Sequence, residues 1–244
     1  MRGRDIVSST WYKIPHIESE NSKSIFLKAK TTLQSAVNNL KVSIPSHTQE
    51  DLLDIIVVLA VNQQLQPWNN ADLICCCQEL LPQLLAQHDL EANMPHKLFE
   101  KYPKLCLEMN VLISSTLRRD QWQDHAIMCS FYTWYCKELS FPLVSEYLDI
   151  LLPPSLHLVD SYIDEMKVIG VECLSHIMKE SGKAELKWHG RSGVILDALL
   201  KLTYSKHEPL LVILHPTLIQ ILEVLDTDSN SVRVSKFCVL LALI

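Results

Sequence analysis

FPLVSEYLDILLPPSLHLVDSYIDEMKVIGVECLSHI, residues 141–177, is the stretch that decides the fold of this chain. Its apolar residues recur every three or four positions on both sides of a central break, which is the spacing of a buried helix face. Pro142 suits the first turn of one helix, which we expect to end before Pro153-Pro154. The second helix begins near Ser161, so the stretch predicts an antiparallel helix pair. On the second helix, the predicted buried positions are Met166, Ile169, Gly170, Cys173, Leu174 and Ile177.

The same helical spacing continues on both sides of this stretch, and alternation of period two is almost absent. Thr48 and Asp51 resemble a capping pair. Asn69-Asn70 opens a helix that contains Pro82, where we expect a kink. About ten helices joined by short connections fit this pattern. It predicts an all-α fold of stacked antiparallel helix pairs.

Composition supports this interpretation and excludes several classes of function. Glycine accounts for 5 of 244 residues, well below the usual share of about 7%, which leaves few positions for phosphate loops or hairpins. Lysine and arginine number 22 against 28 acidic residues, giving a net charge of −6. No basic stripe is present, so we do not expect nucleic-acid binding. The eight cysteines form no regular framework and are interpreted as reduced thiols.

The two ends of the chain bear on its location. Residues 1–22 are interpreted as a polar lead-in without an apolar leader, followed by a helical-repeat domain over 23–244. The most apolar segment, residues 210–225, is interrupted by His215 and Pro216, and we expect it to be too short and too polar to span a membrane. The sequence therefore predicts an intracellular protein, cytoplasmic with the nucleus as a second location.

Two groups of residues that contain cysteine are the first candidates for a metal or catalytic site. Cys75, Cys76 and Cys77 are consecutive, so their side chains spread over about 200° of a helix and cannot meet at one tetrahedral metal. Cys173 and His176 have the spacing of two ligands on one helix face, but no other segment supplies the remaining pair. We interpret the first three as buried or half-buried thiols and the other two as packing residues. A metal-dependent all-α enzyme at Cys173 and His176 is the alternative.

Three other groups lack the pattern that their chemistry requires. Gly190-Arg191-Ser192-Gly193 has no lysine and follows no strand, so it is interpreted as a connecting loop. His207-Glu208 is not followed by the second histidine of an HExxH motif, and Glu208 is expected to complement a helix N-terminus. Asp160 and Asp164 lie at a helix start, where capping explains them better than acid–base chemistry. No catalytic, cofactor-binding or metal residue is assigned, no cofactor is expected, and the protein is predicted not to be an enzyme.

An aromatic group lies between residues 122 and 135. Aromatic side chains at helical spacing more often belong to the core than to an exposed patch. We therefore interpret the group as core, with Tyr132 and Tyr135 reaching a surface edge, and keep a partner-binding patch as the alternative. Its members are Trp122, Phe131, Tyr132, Trp134 and Tyr135.

Residues 143–177 also resemble a HEAT unit, a helix pair with a period of about 40–47 residues. The next helix pair, over 193–225, begins about 50 residues later, and residues 182–191 are the extra length. The positions that match the proline, aspartate, basic residue and small packing residue of such a unit are Pro153, Asp160, Lys167 and Gly170.

The same stretch resembles the central region of the telomere-maintenance-two-interacting protein 2 family, the smallest subunit of the Triple T complex. The family pattern is a helix ending in LP-x-SL, a loop with aspartate, and a K-x-x-G-x-x-CL-x-HI helix. The resemblance covers roughly residues 51–226. The pattern falls on Leu152, Pro153, Ser155, Leu156, Asp160, Lys167, Gly170, Cys173, Leu174, His176 and Ile177, with further agreement at Gln66-Pro67-Trp68, Trp122, Trp134, Leu202-Thr203-Tyr204 and His207-Glu208.

The resemblance implies a HEAT/armadillo-like α-solenoid that acts as a non-catalytic adaptor. It implies as partners the two larger helical-repeat subunits of Triple T, which act with Hsp90 to fold and stabilise kinases related to phosphatidylinositol 3-kinase. These kinases serve DNA-damage and growth signalling. Family members are longer at both ends, so we expect C-terminal repeats to be missing from this chain. The partner-binding surface is left open, and an unrelated helical-repeat adaptor is the alternative.

Overall fold

A computed structural model describes residues 20–43, 48, 51–92 and 94–225 of the chain. These residues form helices and connections without a strand, which confirms the predicted all-α class and is compatible with a helical solenoid. The HEAT assignment stays a prediction, and residues 226–244 of the predicted repeat domain lie outside the described residues. The helices are α1 (Glu20–Ser43), α2 (Leu52–Ala60), α3 (Ala71–Gln87), α4 (His96–Lys101), α5 (Pro103–Thr116), α6 (Ala126–Glu138), α7 (Leu143–Glu146), α8 (Leu148–Val159), α9 (Asp164–Glu180), α10 (Lys183–Lys187), α11 (Arg191–Lys201) and α12 (Glu208–Leu225), with 3-10 turns at Trp122–Asp124, Trp188–Gly190 and Leu202–Tyr204.

The chain divides into two compact units, one extending to Ser140 and the other beginning at Phe141. The predicted division into a lead-in over 1–22 and one repeat domain over 23–244 stays a prediction. Residues 1–19 of that lead-in lie outside the described residues, and α1 begins at Glu20.

Helix α2 forms the centre of the first unit. Every residue from Leu52 to Ala60 except Asp54 is buried, because the helix contacts α1, α3, α5 and α6. A helix that is apolar on all sides is stable in water only when it is enclosed in this way. Its C-terminal end is held by Trp68, whose indole N–H donates to the carbonyl oxygen of Val61 at 3.3 Å.

One of the two predicted helix starts in the first unit is confirmed by a capping hydrogen bond; at the other, α2 begins after Asp51, whose side chain makes no capping hydrogen bond to the helix. The side chain of Asn70 accepts a hydrogen bond from the backbone N–H of Leu73 at 3.0 Å, as an N-cap does. The backbone N–H and the hydroxyl of Thr48 both donate to the Asp51 carboxylate, at 3.0 and 2.7 Å. Pro82 lies inside α3, which continues on both sides of it.

In the second unit, α9 packs against α8 and α12, and α11 packs against α12 and α8. Most of the predicted buried face of α9 is confirmed, with Gly170, Cys173, Leu174 and Ile177 buried. Met166 and Ile169 are half-buried. The helix pair of residues 141–177 is therefore the centre of this unit's packing.

The predicted end of the first helix of this pair is wrong. The chain breaks at Tyr147 instead, and α8 runs from Leu148 to Val159 with Pro153 and Pro154 inside it. Pro153 and Pro154 are the sixth and seventh residues of α8, so each removes one backbone hydrogen bond from the helix interior. The leucines on both sides of them are buried, and this packing outweighs the unfavourable helix propensity of proline.

Helix α12 begins at Glu208, so this carboxylate lies in the first turn of a helix as predicted. Its 18 residues are long and apolar enough, by length and composition alone, to span a membrane, so the expectation that residues 210–225 are too short and too polar is wrong. Within the described residues no other helix passes this test. Core helices pass it as well, and the buried residues of α12 face α9 and α11.

Candidate functional site

The three consecutive cysteines of α3 point to different surroundings, as their spacing predicts. Cys77 is buried, Cys76 is half-buried and Cys75 is exposed, so the expectation that all three are at least half-buried is wrong for Cys75. The Sγ of Cys75 is 3.6 Å from Glu79, and this hydrogen bond is the main reason that the pKa of the Cys75 thiol is raised. Burial raises the pKa of Cys77 to about 12. Neither group is an activated nucleophile, because nucleophilic cysteines have lowered pKa values.

Cys173 and His176 lie on α9, one turn apart. Cys173 is fully buried and His176 is half-buried. Among the described residues, no group of three or more histidine, cysteine, aspartate or glutamate side chains is arranged to hold a metal ion. The metal-dependent enzyme considered from the sequence therefore has no ligand set in this part of the chain.

The glycine-containing segment at residues 190–193 is not the predicted connecting loop. Helix α11 begins at Arg191, so only Gly190 precedes the helix, with a φ of +71°. The Arg191 side chain holds this helix start, donating to the Glu185 carbonyl oxygen at 3.0 Å and pairing with the Asp149 carboxylate. The guanidinium is thus used by the protein itself at this position, which leaves the segment without the free cation of a phosphate site.

The two carboxylates Asp160 and Asp164 have separate partners. Asp164 lies in the first turn of α9 and accepts a hydrogen bond from Lys167 at 2.6 Å, which is the main reason that the pKa of Asp164 is lowered. Asp160 follows the C-terminal end of α8 instead, 3.9 Å from the ammonium group of Lys201. Asp164 therefore complements a helix start as predicted, whereas Asp160 does not.

The aromatic group belongs to the core of the first unit, as predicted. Trp122, Phe131, Tyr132 and Tyr135 are buried. The expectation that the two tyrosines reach a surface edge is wrong, and Trp134 is the half-buried member.

Tyr135 is buried because its hydroxyl has an internal partner. The hydroxyl donates to Oδ1 of Asn110 on α5 at 3.2 Å. The ring stacks parallel to Phe131, with centroids 6.1 Å apart, and meets the edge of Phe99 at 5.3 Å. Asn110 sits among apolar residues of α5, and this polar position in an apolar stripe was the available sequence signal for the contact.

Sequence reasoning missed an exposed aromatic surface at the start of α11. Trp188 is 66% exposed and its indole ring stacks on the imidazole of His189, with centroids 5.5 Å apart and planes 26° apart. Tyr204, just beyond the other end of α11, is 90% exposed. The available sequence signal was the segment 182–191, which exceeds the length of a HEAT unit and contains the tryptophan.

The described residues thus define an all-α protein of packed helix pairs. No family model matches the chain. Three curated proteins are similar to the chain, and each is named TELO2-interacting protein 2. The rat protein (Rattus norvegicus) is 28% identical over 131 residues, 52% of this chain and 26% of its own length. The mouse protein (Mus musculus) is 27% identical over 131 residues, which again are 52% of this chain and 26% of its own length. The human protein (Homo sapiens) is 25% identical over 190 residues, 77% of this chain and 37% of its own.

These matches agree with the resemblance of the sequence to the telomere-maintenance-two-interacting protein 2 family, whose members are the TELO2-interacting protein 2 chains. The name of these relatives states an interaction with TELO2. The chain spans between 26% and 37% of the length of the relatives it matches.

Proposed function

We propose that this chain is a non-catalytic scaffold subunit of the Triple T co-chaperone complex, which binds TELO2 and the other large helical-repeat subunit. The observation that carries the proposal is the match over 190 residues to a relative named for its interaction with TELO2. Through that complex the chain acts with Hsp90 in the folding, assembly and stabilisation of kinases related to phosphatidylinositol 3-kinase.

The helical architecture supports a binding role. Packed helix pairs present ridges and grooves that bind other helices through many shallow contacts and need no cofactor. Several helices also expose large apolar side chains to solvent, as interaction surfaces do. They include Leu107 and Val111 on α5 and Val212 and Ile219 on α12.

The proposed partners are proteins, and the proposed location is the cytoplasm with the nucleus as a second site. A net charge of −6 gives little attraction to nucleic acid. Hsp90 and the kinases are reached indirectly, through the two larger subunits.

An affinity pull-down of the tagged chain from cell lysate, with mass spectrometry, tests the proposal. We expect TELO2 and the other large subunit at near-equal amounts, and a tag-only bait to recover neither. Recovery of neither subunit by a chain whose circular dichroism spectrum is helical contradicts the proposal and favours an unrelated helical-repeat adaptor.

A further inference from the structure

Helix α12 has an exposed and largely apolar stripe on the side opposite its buried residues. Val212 is 70% exposed and Ile219 is 52% exposed, with Pro216 exposed between them and Glu223 exposed one turn further on. These four residues, the α12 stripe, recur every three or four positions and therefore share one face of the helix. A helix that is apolar on nearly all sides is stable in water only when it is enclosed. The α12 stripe therefore calls for a further segment packed against it.

The sequence that follows α12 has the composition to cover the stripe. Residues 226–230, DTDSN, are of the polar types that form turns. Residues 231–244, SVRVSKFCVLLALI, then return to apolar side chains. Among them, Val234, Phe237, Leu241 and Ile244 recur every three or four positions. Burying these side chains against a second apolar surface is favourable for the same reason that covering α12 is.

The length of the connection determines the direction in which this segment can pack on α12. The helix has 18 residues and is therefore about 27 Å long. The link over residues 226–230 spans at most about 22 Å, so residue 231 cannot return to the N-terminal end of α12. A segment that packs on the helix must start nearer its C-terminal end and run antiparallel to it. As a helix, residues 231–244 would be about 21 Å long, enough to pass both Ile219 and Val212.

Charge favours the same direction. The charged residues of the segment, Arg233 and Lys236, are both basic and both lie in its first half. Glu223 is the exposed acidic residue of the α12 stripe, close to the C-terminal end of the helix. The antiparallel arrangement places the basic residues near this carboxylate and the apolar residues against Ile219 and Val212. Opposite charges at the edge of an apolar contact fix its orientation.

We propose that residues 231–244 pack antiparallel on the α12 stripe. The proposal does not depend on the proposed function. It covers the exposed apolar residues of α12 within the chain and leaves those of α5 available to a partner. Cys238 lies in the middle of the segment and is a natural probe of its burial.

The test is the rate at which a maleimide labels Cys238 in the whole folded chain, with the label located by peptide mass spectrometry. We expect slow labelling in the wild-type chain. Ile219→Asp and Val212→Asp should each raise the rate at least about tenfold, because a buried thiol reacts only when the contact that covers it opens. In every variant Cys173, buried on α9, should stay unlabelled, which shows that the second unit remains folded.

Val111→Asp is the matched control. Val111 is 67% exposed on α5, in the first unit, so the same change of an exposed valine to aspartate is made away from α12. We expect it to change the labelling rate of Cys238 by less than about twofold, because distant sites act independently.

Three outcomes would overturn the proposal. Labelling of Cys238 in the wild-type chain as fast as in urea would show that the segment is not packed. Slow labelling that Ile219→Asp and Val212→Asp leave unchanged, or that Val111→Asp raises equally, would show that Cys238 is covered elsewhere. Slow labelling that disappears on dilution would assign the cover to a second copy of the chain. None of these results alters the test of TELO2 binding, so the two proposals fail separately.

Discussion

Gly170 of α9 lies so close to Val159 of α8 that a Cβ atom at position 170 would be 2.6 Å from the Val159 amide nitrogen and 2.9 Å from its Cγ2. The two helices can approach this closely only because glycine has no side chain. This contact explains why a residue that weakens helices occupies the middle of α9. It also matches the small packing residue predicted there from the sequence.

Substitution of Gly170 tests this contact. Gly170→Ala, and more strongly Gly170→Leu, must push the backbone of α8 away, and we expect the free energy of unfolding to fall by about 1–3 kcal/mol. Gly193→Ala is the matched control, because a Cβ there meets nothing within 4 Å. We expect it to leave stability unchanged or to raise it by up to about 1 kcal/mol. Urea unfolding measures both, and equal effects at the two glycines would contradict the account.

The hydrogen bond between Tyr135 and Asn110 can be tested with a double-mutant cycle. Tyr135→Phe leaves the buried Asn110 oxygen without this donor, and we expect a loss of about 1–3 kcal/mol. Nδ2 of Asn110 is already buried without a partner. Tyr135→Phe combined with Asn110→Leu should therefore cost less than the sum of the single changes. Additive losses in denaturant unfolding would show that the two groups do not interact.

Thiol labelling tests the arrangement of the α3 cysteines. We expect a maleimide at pH 7.5 to modify exposed Cys75 first and to spare Cys77 and Cys129, whose burial raises the pKa of each thiol to about 12. Glu79→Gln removes the carboxylate that raises the pKa of Cys75, so the thiolate fraction and the labelling rate should increase. Peptide mass spectrometry locates the label, and fast modification of Cys77 in the folded chain would contradict this placement.

Glu138, at the end of α6, gives a prediction for pH dependence. Burial raises the pKa of its carboxyl above the ordinary 4.5, so the ionised form is less favourable in the folded state than in the unfolded state. Its contribution to stability therefore decreases as the pH rises above the unfolded pKa. We expect Glu138→Gln to raise the melting temperature at pH 7 and this gain to shrink below pH 4.5. Glu108→Gln, at an exposed position, controls for the loss of one charge. A gain independent of pH would contradict the burial of the charge.

The all-α class and most buried positions of α2 and α9 could be predicted because apolar spacing reports directly which helix face is enclosed. The C-terminal end of α8 could not be predicted from the sequence. Proline predicts a helix end from local geometry, but the packing of the leucines around Pro153 and Pro154 determined where the helix stops. The start of α11 at Arg191 was missed for a similar reason, since its ion pair with Asp149 joins residues far apart in the sequence.

The burial and exposure of the aromatic residues could also be predicted only in part from the sequence. Their helical spacing correctly predicted a core, but the depth of Tyr135 depends on Asn110, 25 residues earlier. The exposure of Trp188 depends on two left-handed residues that no local pattern indicated. Both features follow from tertiary contacts and backbone conformation, which periodicity does not report.

The most direct test of the central claim, that this chain is a scaffold that binds TELO2, is the mass of the complex by size-exclusion chromatography with light scattering. Mixed with an equal amount of purified TELO2, the chain should elute together with it, at a mass 27.9 kDa above that of TELO2 alone. Two separate peaks with the masses of the individual proteins, from a chain that is folded and helical, would contradict the account.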